Sequence, residues 1–321
     1  MLIRLITDGK SGDVVQGRGI AQAILRERPG RIEEHVVRPR LVYVGFMPWG
    51  PADPRDAACL GQPYPDIAIA SGRRSVPSLR RLRALSPATF TVFLKDPRVG
   101  SREAHFVWTP LHDRVQGGNI FKTLTSPHPI TPAVLAEGAR AAAARFPPTG
   151  NRRLLVLLGG PTRGLYYNRA LVTRLASWID QAIALGYAPA IVPSRRTPPA
   201  FCRALMQALA RHPSITCWDQ QADNPYIALL ATADAILAPG DSHNMISEVL
   251  LRDVPIYIFQ PDGRRSKLSH FVKTLVGDGL VTMAGDGPRE SDHRPRAAID
   301  ATPVIVGKIF EAYEAFRRGP A

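Results

Sequence analysis

Residues 234–259, "DAILAPGDSHNMISEVLLRDVPIYIF", hold one complete unit of a fold. Two apolar runs of strand length, "DAILAPG" and "VPIYIFQ", flank "HNMISEVLLRD", which has helical periodicity. Neither run alternates apolar with polar residues, so each reads as a strand covered on both faces, and such strands build parallel sheets. A helix between two parallel strands is the crossover of a βαβ unit. Gly240 and Asp241 turn the chain at the first strand's carboxyl end. Ser242 is placed to cap the helix, and the amides that follow, His243 first, point out of its N-terminus. This edge is where open α/β sheets hold ligands.

The same rhythm extends in both directions. Upstream lie the strand "RRLLVLLGG", the helix "RALVTRLASWIDQAIALG", the strand "APAIVPS", the helix "PAFCRALMQALARH", the strand "ITCWD" and the helix "NPYIALLATA". Two more loops fall at strand carboxyl ends. In "GGPTRG", Gly159 and Gly160 let backbone N–H groups approach an anion, and Thr162 and Arg163 add donors. In "SRRTPP", Ser194 and Arg195 stand at the end of the next strand. Before these, "TPAVLAEGARAAAARF" reads as a helix with Thr131 as N-cap, and "PPTGN" (147–151) is the best linker. The first half contributes the strands "LIRLIT", "EEHVVR", "DIAIAS", "TFTVFL" and "HFVWTP", with "GFMPWGPADPRD" as an excursion lacking a regular element. The expectation is an α/β protein of two doubly wound, Rossmann-like domains, 1–148 and 149–321, with mostly parallel sheets facing across a cleft. The final helix, "TPVIVGKIFEAYEAFRRG", can pack on either domain.

The opening "TDGKSGDVVQGRGIAQAIL" (7–25) superficially suggests a nucleotide loop. A Walker A loop needs a glycine five positions before the Gly-Lys-Ser glycine, but that position is Arg4, inside a strand. A Rossmann fingerprint fails as well, because Gly17 and Gly19 are followed by Gln22 where a third glycine belongs. What remains is a strand, a glycine loop and a helix, with Asp8 at the strand's carboxyl end.

Composition narrows the class. The 321 residues are 45% apolar and 21% charged, as in globular proteins, yet the net charge is +14. A field of that sign attracts phosphates, in nucleotides or in anionic lipid headgroups. No nucleic-acid-reading module is recognisable, so no specific nucleic acid is expected as a partner. Cys59, Cys202 and Cys217 lack the spacing of a disulfide framework or zinc site, which fits a reducing compartment. No signal peptide is read at "MLIRLITDG", and no apolar run approaches the roughly 20 residues that span a bilayer. The expected location is cytoplasmic, peripheral at the inner face of the membrane. Asp241-Ser242-His243 holds the three triad residue types, but sequence neighbours cannot form that geometry. No metal-ligand spacing occurs either, so no metal and no cofactor is expected.

Glu248 lies six residues past Ser242, about 9 Å along a helix axis. On spacing, it is either a carboxylate for the ribose of a bound nucleotide or a surface glutamate paired with Arg252, worth about 0.3 kcal/mol. "GDSHNMISEVLLRDVPIYIF" resembles the donor-binding segment of GT-B glycosyltransferases. More specifically, the chain resembles the mitochondrial-fission "elongated mitochondria" family, whose bacterial members are usually described as glycosyltransferases. The matching stretches are "TDGKSGDVVQGRGIAQAI", "ASGRRSVPSLRRL", "FLKDPRVG", "PLHDRVQGGNI", "LLGGPTRG", "PSRRTPP", "DNPYIALLATADAIL" and "GDSHNMISE", in family order.

The resemblance implies a GT-B fold and a nucleotide-sugar substrate. It places Glu248 on the ribose, and Ser242, Gly160 and Thr162 on the diphosphate. Asn224 and Tyr226 would lie near the base, and Lys267 near the phosphates. On the acceptor side, Asp8 is the best base, followed by Asp96 and the His112-Asp113 pair. Gly9, Lys10, Ser71, Arg73, Arg74 and Arg98 lie near strand ends there, which suits an anionic acceptor or a lipid headgroup. The expected function is metal-independent transfer of a sugar from a nucleoside diphosphate to a cell-envelope or lipid-linked acceptor. A sugar-nucleotide epimerase and a non-catalytic membrane-surface recruitment platform are the alternatives.

Overall fold

A computed structural model describes residues 1–146, 150–162, 164–263, 267–285, 287–289 and 294–319. The chain forms two compact units, Met1–Pro129 with Asp300–Ala321, and Ile130–Ile299.

The first unit runs β1 (Leu2–Thr7), α1 (Ser11–Glu27), β2 (Arg31–Val36), α2 (Leu41–Val44), a 3-10 segment (Pro54–Leu60), β3 (Ile67–Ser71), α3 (Val76–Leu85), β4 (Phe90–Leu94), β5 (Phe106–Pro110) and β6 (Ile120–Thr123). Its six strands pair in parallel in the order β2-β1-β3-β4-β5-β6. Register sets the two faces. Ile3 pairs with Ile67 and Leu5 with Ile69, and this row packs on Ile20 and Ile24 of α1. Ile6, Ala70 and Phe93 point the other way, onto Val76, Leu79 and Leu82 of α3. The chain steps from β1 out to β2 and returns to β3 on the far side of β1. The sheet's direction therefore switches between the carboxyl ends of β1 and β3.

Most of the opening glycines are not in a loop. α1 begins at Ser11, so Gly12, Gly17 and Gly19 are helical. A Cβ on Gly19 would lie 2.6 Å from the His128 backbone, and one on Gly17 would touch Leu5. These residues let backbones come close; only Gly9, at φ +79, serves the turn itself. The excursion at 45–56 is also more regular than its Pro and Gly content suggests, being flanked by α2 and the 3-10 segment. β6 escaped the sequence reading because it is a four-residue, half-buried edge strand.

The second unit runs α4 (Pro132–Arg145), β7 (Arg152–Leu158), β8 (Leu165–Tyr166), α5 (Arg169–Ala184), β9 (Tyr187–Pro193), α6 (Pro199–Ala208), β10 (Thr216–Cys217), α7 (Tyr226–Thr232), β11 (Ala235–Pro239), α8 (His243–Val249), β12 (Ile256–Phe259), β13 (Asp262–Gly263), α9 (Lys267–Gly277) and β14 (Thr282–Met283). A second parallel sheet has the order β10-β9-β7-β11-β12-β14, and β13 pairs with β8 as a separate ribbon. Leu154, Val156 and Leu158 pack on Leu171, Leu175, Trp178 and Ile179 of α5 and on Phe201 and Leu205 of α6. Here the direction switches between β7 and β11.

The expected boundary at 148/149 is corrected to 129/130. Helix α4, capped by Thr131 Oγ1 accepting from Val134 N–H at 3.2 Å, belongs with the second unit. It packs on α7, where the missing side chain of Gly138 admits Ile227. Residues 147–149 of the expected linker lie outside the described residues. The last helix, α10 (Thr302–Arg318), closes the first unit, with Ile305, Ile309 and Tyr313 in the same core cluster as α1.

Candidate functional site

The loops "GGPTRG" and "PGDSHN" leave the carboxyl ends of β7 and β11, the two strands at the switch point of the second sheet. Asp241 organises this edge. Its carboxylate is buried and accepts from the Tyr167 hydroxyl at 2.9 Å, from Arg196 Nη2 at 3.2 Å and from Gly160 N–H at 3.4 Å. Burial and the Asp241 charge push the Tyr167 phenol far above its ordinary value, so it stays a donor. A Cβ on Gly159 would sit 2.3 Å from Asp241 Oδ1, and one on Gly160 would sit 2.2 Å from the Arg196 carbonyl oxygen. The paired glycines are thus required by the packing of Asp241 and Arg196, and the Gly160 amide is turned onto Asp241.

The other residues expected at a diphosphate divide. Ser194 Oγ donates to Gly159 O at 3.1 Å and joins the ends of β9 and β7. Arg195 and Arg196, the two arginines of "SRRTPP", are both exposed, and Arg196 reaches back to Gly160 O at 3.1 Å. Thr162 is exposed, and its carbonyl closes a turn with Leu165 N–H at 3.0 Å. Ser242 Oγ accepts from Met245 N–H at 3.4 Å, the cap expected for α8. The His243 ring lies edge-on to Phe271, with centroids 4.4 Å apart. Arg163 and the Lys267 side chain lie outside the described residues.

Glu248 and Tyr226 form the second element of the site. The Tyr226 hydroxyl donates to Glu248 Oε2 at 2.7 Å, and Asn224 Oδ1 accepts from Tyr226 N–H at 3.0 Å, holding the start of α7. Both side chains are only partly exposed. Burial pushes the Glu248 carboxyl up to about 7, and the tyrosine's hydrogen bond offsets part of that rise. Arg252 does not pair with it; its Nη2 donates instead to Ala233 O at 3.2 Å. Among the described residues Glu248 has no cationic partner. A half-buried carboxylate with a displaced pKa is a feature of binding sites.

In the first unit, Asp8 stands at the switch point between β1 and β3. Its buried carboxylate accepts from Lys10 Nζ at 2.6 Å and lies where a Cβ on Gly72 would come within 2.4 Å. Ser71 is buried and its hydroxyl donates to Asp13 O at 3.3 Å, while Arg73 and Arg74 are exposed. Asp96 Oδ1 accepts from Arg98 N–H at 2.8 Å in a local turn. His112 and Asp113 are half-buried beyond β5, and the Asp113 carbonyl accepts from Lys122 Nζ at 2.7 Å. The sequence reading missed the ion pair between Asp13, buried in the first turn of α1, and Lys95 at the end of β4. Lys95 adopts a left-handed backbone, φ 75. A charged residue in that conformation is a mark of a specialised site, but position alone could not single it out.

Two six-stranded parallel sheets, each wound on both faces and each with its own switch point, are the architecture of the GT-B class of sugar-nucleotide enzymes. Solved structures of that class align with nearly the whole chain. The UDP-GlcNAc 2-epimerase of Methanocaldococcus jannaschii aligns at TM-score 0.53 and 15% identity, covering 98% of this chain and 92% of its own. The ADP-heptose lps heptosyltransferase II of E. coli gives 0.51 and 13%, covering 99% and 100%, and Acinetobacter baumannii MurG gives 0.51 and 12%, covering 99% and 95%. At those identities the likeness is one of fold. The chain belongs to the Mitochondrial fission ELM1 family, whose profile matches residues 11–313. It is 27% identical over 241 residues to the Mitochondrial fission protein ELM1 of Arabidopsis thaliana, covering 68% of this chain and 56% of that protein. It is 28% identical over 134 residues to an uncharacterized protein of Rickettsia prowazekii, covering 40% and 37%. The chain thus spans about half the length of the first curated relative and over a third of the second.

Proposed function

We propose that the protein transfers a sugar from a nucleoside diphosphate to an acceptor hydroxyl, with the second unit binding the donor and the first the acceptor. The reading is carried by Glu248. A carboxylate at the switch-point edge, held by Tyr226 and opposed by no cation among the described residues, suits a ligand that brings hydroxyl donors, as a ribose does. Arg195, exposed at the end of β9, and Ser242 stand on the same edge of the sheet, where a diphosphate would follow. In the transfer, the acceptor oxygen bonds to the anomeric carbon and its proton passes to Asp8. The bond from that carbon to the diphosphate oxygen breaks, and the electron pair leaves with the diphosphate. No metal is needed for this division of roles, since basic side chains offset the leaving charge.

Calorimetry of UDP, GDP, ADP and TDP against the full chain tests the reading. One of them is expected to bind, with affinity reduced about tenfold or more in Glu248→Ala, the cost of a charge-assisted hydrogen bond. Absence of binding by all four would overturn it. The epimerase reading is favoured by the fold neighbours of that activity, and consumption of a sugar nucleotide without acceptor would establish it. The recruitment reading is favoured by the name of the Arabidopsis relative, a mitochondrial fission protein, and saturable binding of a purified fission protein by a chain without nucleotide affinity would establish that.

A further inference from the structure

The four most exposed large apolar side chains among the described residues lie together in sequence: Leu41 at 88%, Trp49 at 69%, Phe46 at 65% and Val42 at 64%. They do not belong to a slack loop. Past α2 the backbone keeps turning, with Gly45 N–H on Leu41 O, Phe46 N–H on Tyr43 O and Gly50 N–H on Phe46 O. Val42 and Phe46 stand about one turn apart, and Trp49 follows in the same turning segment. Met47 is buried beneath the turn. Arg40 is clamped onto buried Asp53 through both its backbone and its guanidinium, and Arg80 Nη1 donates to Trp49 O at 2.9 Å. The segment is fixed from below with its apolar face turned outward.

Of the arginines at this face, Arg40 is paired with Asp53 and Arg80 with Glu103, while Arg38 is exposed. No acidic residue occurs from Val36 to Ala52. From Gly72 to Leu94 there are five arginines and no acid, and one of them, Arg80, holds the Trp49 carbonyl. Phenylalanine and tryptophan on a fixed turn, with exposed Arg38 just upstream in a chain of net charge +14, match the chemistry of the lipid interface, where aromatic rings sit at headgroup depth and cations meet anionic lipids. A second copy of the chain is a poorer occupant, because a self-complementary contact would bring two chains of net charge +14 together.

We propose that Leu41–Trp49 seats the first unit on an anionic lipid surface, with Leu41, Val42, Phe46 and Trp49 entering the acyl boundary and Arg38 at the headgroups. No helix among the described residues is long and apolar enough to cross a membrane, so the contact is one of surface insertion. Upstream of the segment, exposed Val36 ends β2 with its Cγ1 3.0 Å from where a Gly9 Cβ would be. The inference rests on the first unit alone and survives failure of the donor reading.

The test is co-sedimentation of the full chain with vesicles of phosphatidylglycerol and phosphatidylethanolamine, compared with phosphatidylcholine alone. The chain is expected to pellet with the anionic vesicles, and Phe46→Asp/Trp49→Asp to weaken partition about tenfold or more with an unchanged melting temperature. Brominated acyl chains are expected to quench tryptophan fluorescence in the wild type and much less in Trp49→Phe. Failure of the wild type to bind anionic vesicles, or equal binding by the double variant, would overturn the proposal. So would a concentration-dependent dimer that the double variant loses without any vesicle binding, which would assign the face to a second copy.

Discussion

Replacing Glu248 by glutamine keeps an acceptor for the Tyr226 hydroxyl and removes the charge, which separates what the carboxylate does for the fold from what it does for a ligand. Burial raises its pKa from the ordinary 4.5 to about 7. A rise of about two and a half pH units corresponds to roughly 3 kcal/mol. Because the side chain is partly open to water, about 1–2 kcal/mol is the working figure. The folded protein holds this proton more tightly than the unfolded chain. Below pH 4.5 both forms are protonated and the cost is absent; it grows as pH rises and is complete above pH 7. Urea denaturation of the wild type and Glu248→Gln in parallel at pH 5, 6, 7 and 8 reads the difference. The variant is expected to gain stability over the wild type as pH rises, reaching about 1–2 kcal/mol at pH 8, while losing nucleoside diphosphate affinity. A stability difference that is constant across the range, or a variant less stable than the wild type at pH 8, would refute the reasoning.

Tyr226→Phe removes the hydrogen bond that lowers the Glu248 pKa, so the pH at which the difference between the glutamate and glutamine chains levels off is expected to move upward when both carry Tyr226→Phe. A levelling-off at the same pH in the same urea series would show that the two side chains are not coupled. Asp241→Asn leaves Arg196 and Tyr167 facing an uncharged amide in a buried position, and is expected to cost about 2–4 kcal/mol in denaturant titrations. A loss below about 0.5 kcal/mol would remove Asp241 as the organiser of this edge.

What could be read from the sequence follows from which interactions are local. The parallel sheets were legible because runs such as "LLVLL" and "FTVFL" are apolar on both sides, and Ser242, Thr131 and Pro132 announce helix starts within a few residues of their effect. The placement of α4 was not legible, because Gly138 acquires its meaning only from Ile227, far along the chain. The glycines of "GDVVQGRG" read as a loop for the same reason: Gly19 lies inside α1 and answers to His128. Glu248 could be singled out by its offset from Ser242, but setting aside a surface ion pair with Arg252 needed the Tyr226 contact and the diversion of Arg252. Arg195 and Arg196 are exposed neighbours of the same type, and only the contacts with Gly160 and Asp241 mark Arg196 as part of the scaffold.

Under the transfer reading, the same distinction separates the two aspartates at the switch point of the first sheet. Both are ion-paired, and a base must be able to surrender its partner when the acceptor arrives. Lys10, which holds Asp8, is largely exposed and only two residues away, so its ammonium can return to water once an acceptor hydroxyl replaces it on the buried carboxylate. Asp13 is held differently, by Lys95, whose strained backbone is fixed by its N–H donating to Trp108 O at 2.6 Å. Both carboxylates are buried and need a donor, but withdrawing Lys95 would also disturb the end of β4. Gly72, at φ +87, makes the room that lets the Asp8 carboxylate lie at the sheet edge, and any side chain there would collide with it. Asp8 therefore has what a proton acceptor requires, a fixed position with an exchangeable partner, while Asp13 and Lys95 brace the edge beside it.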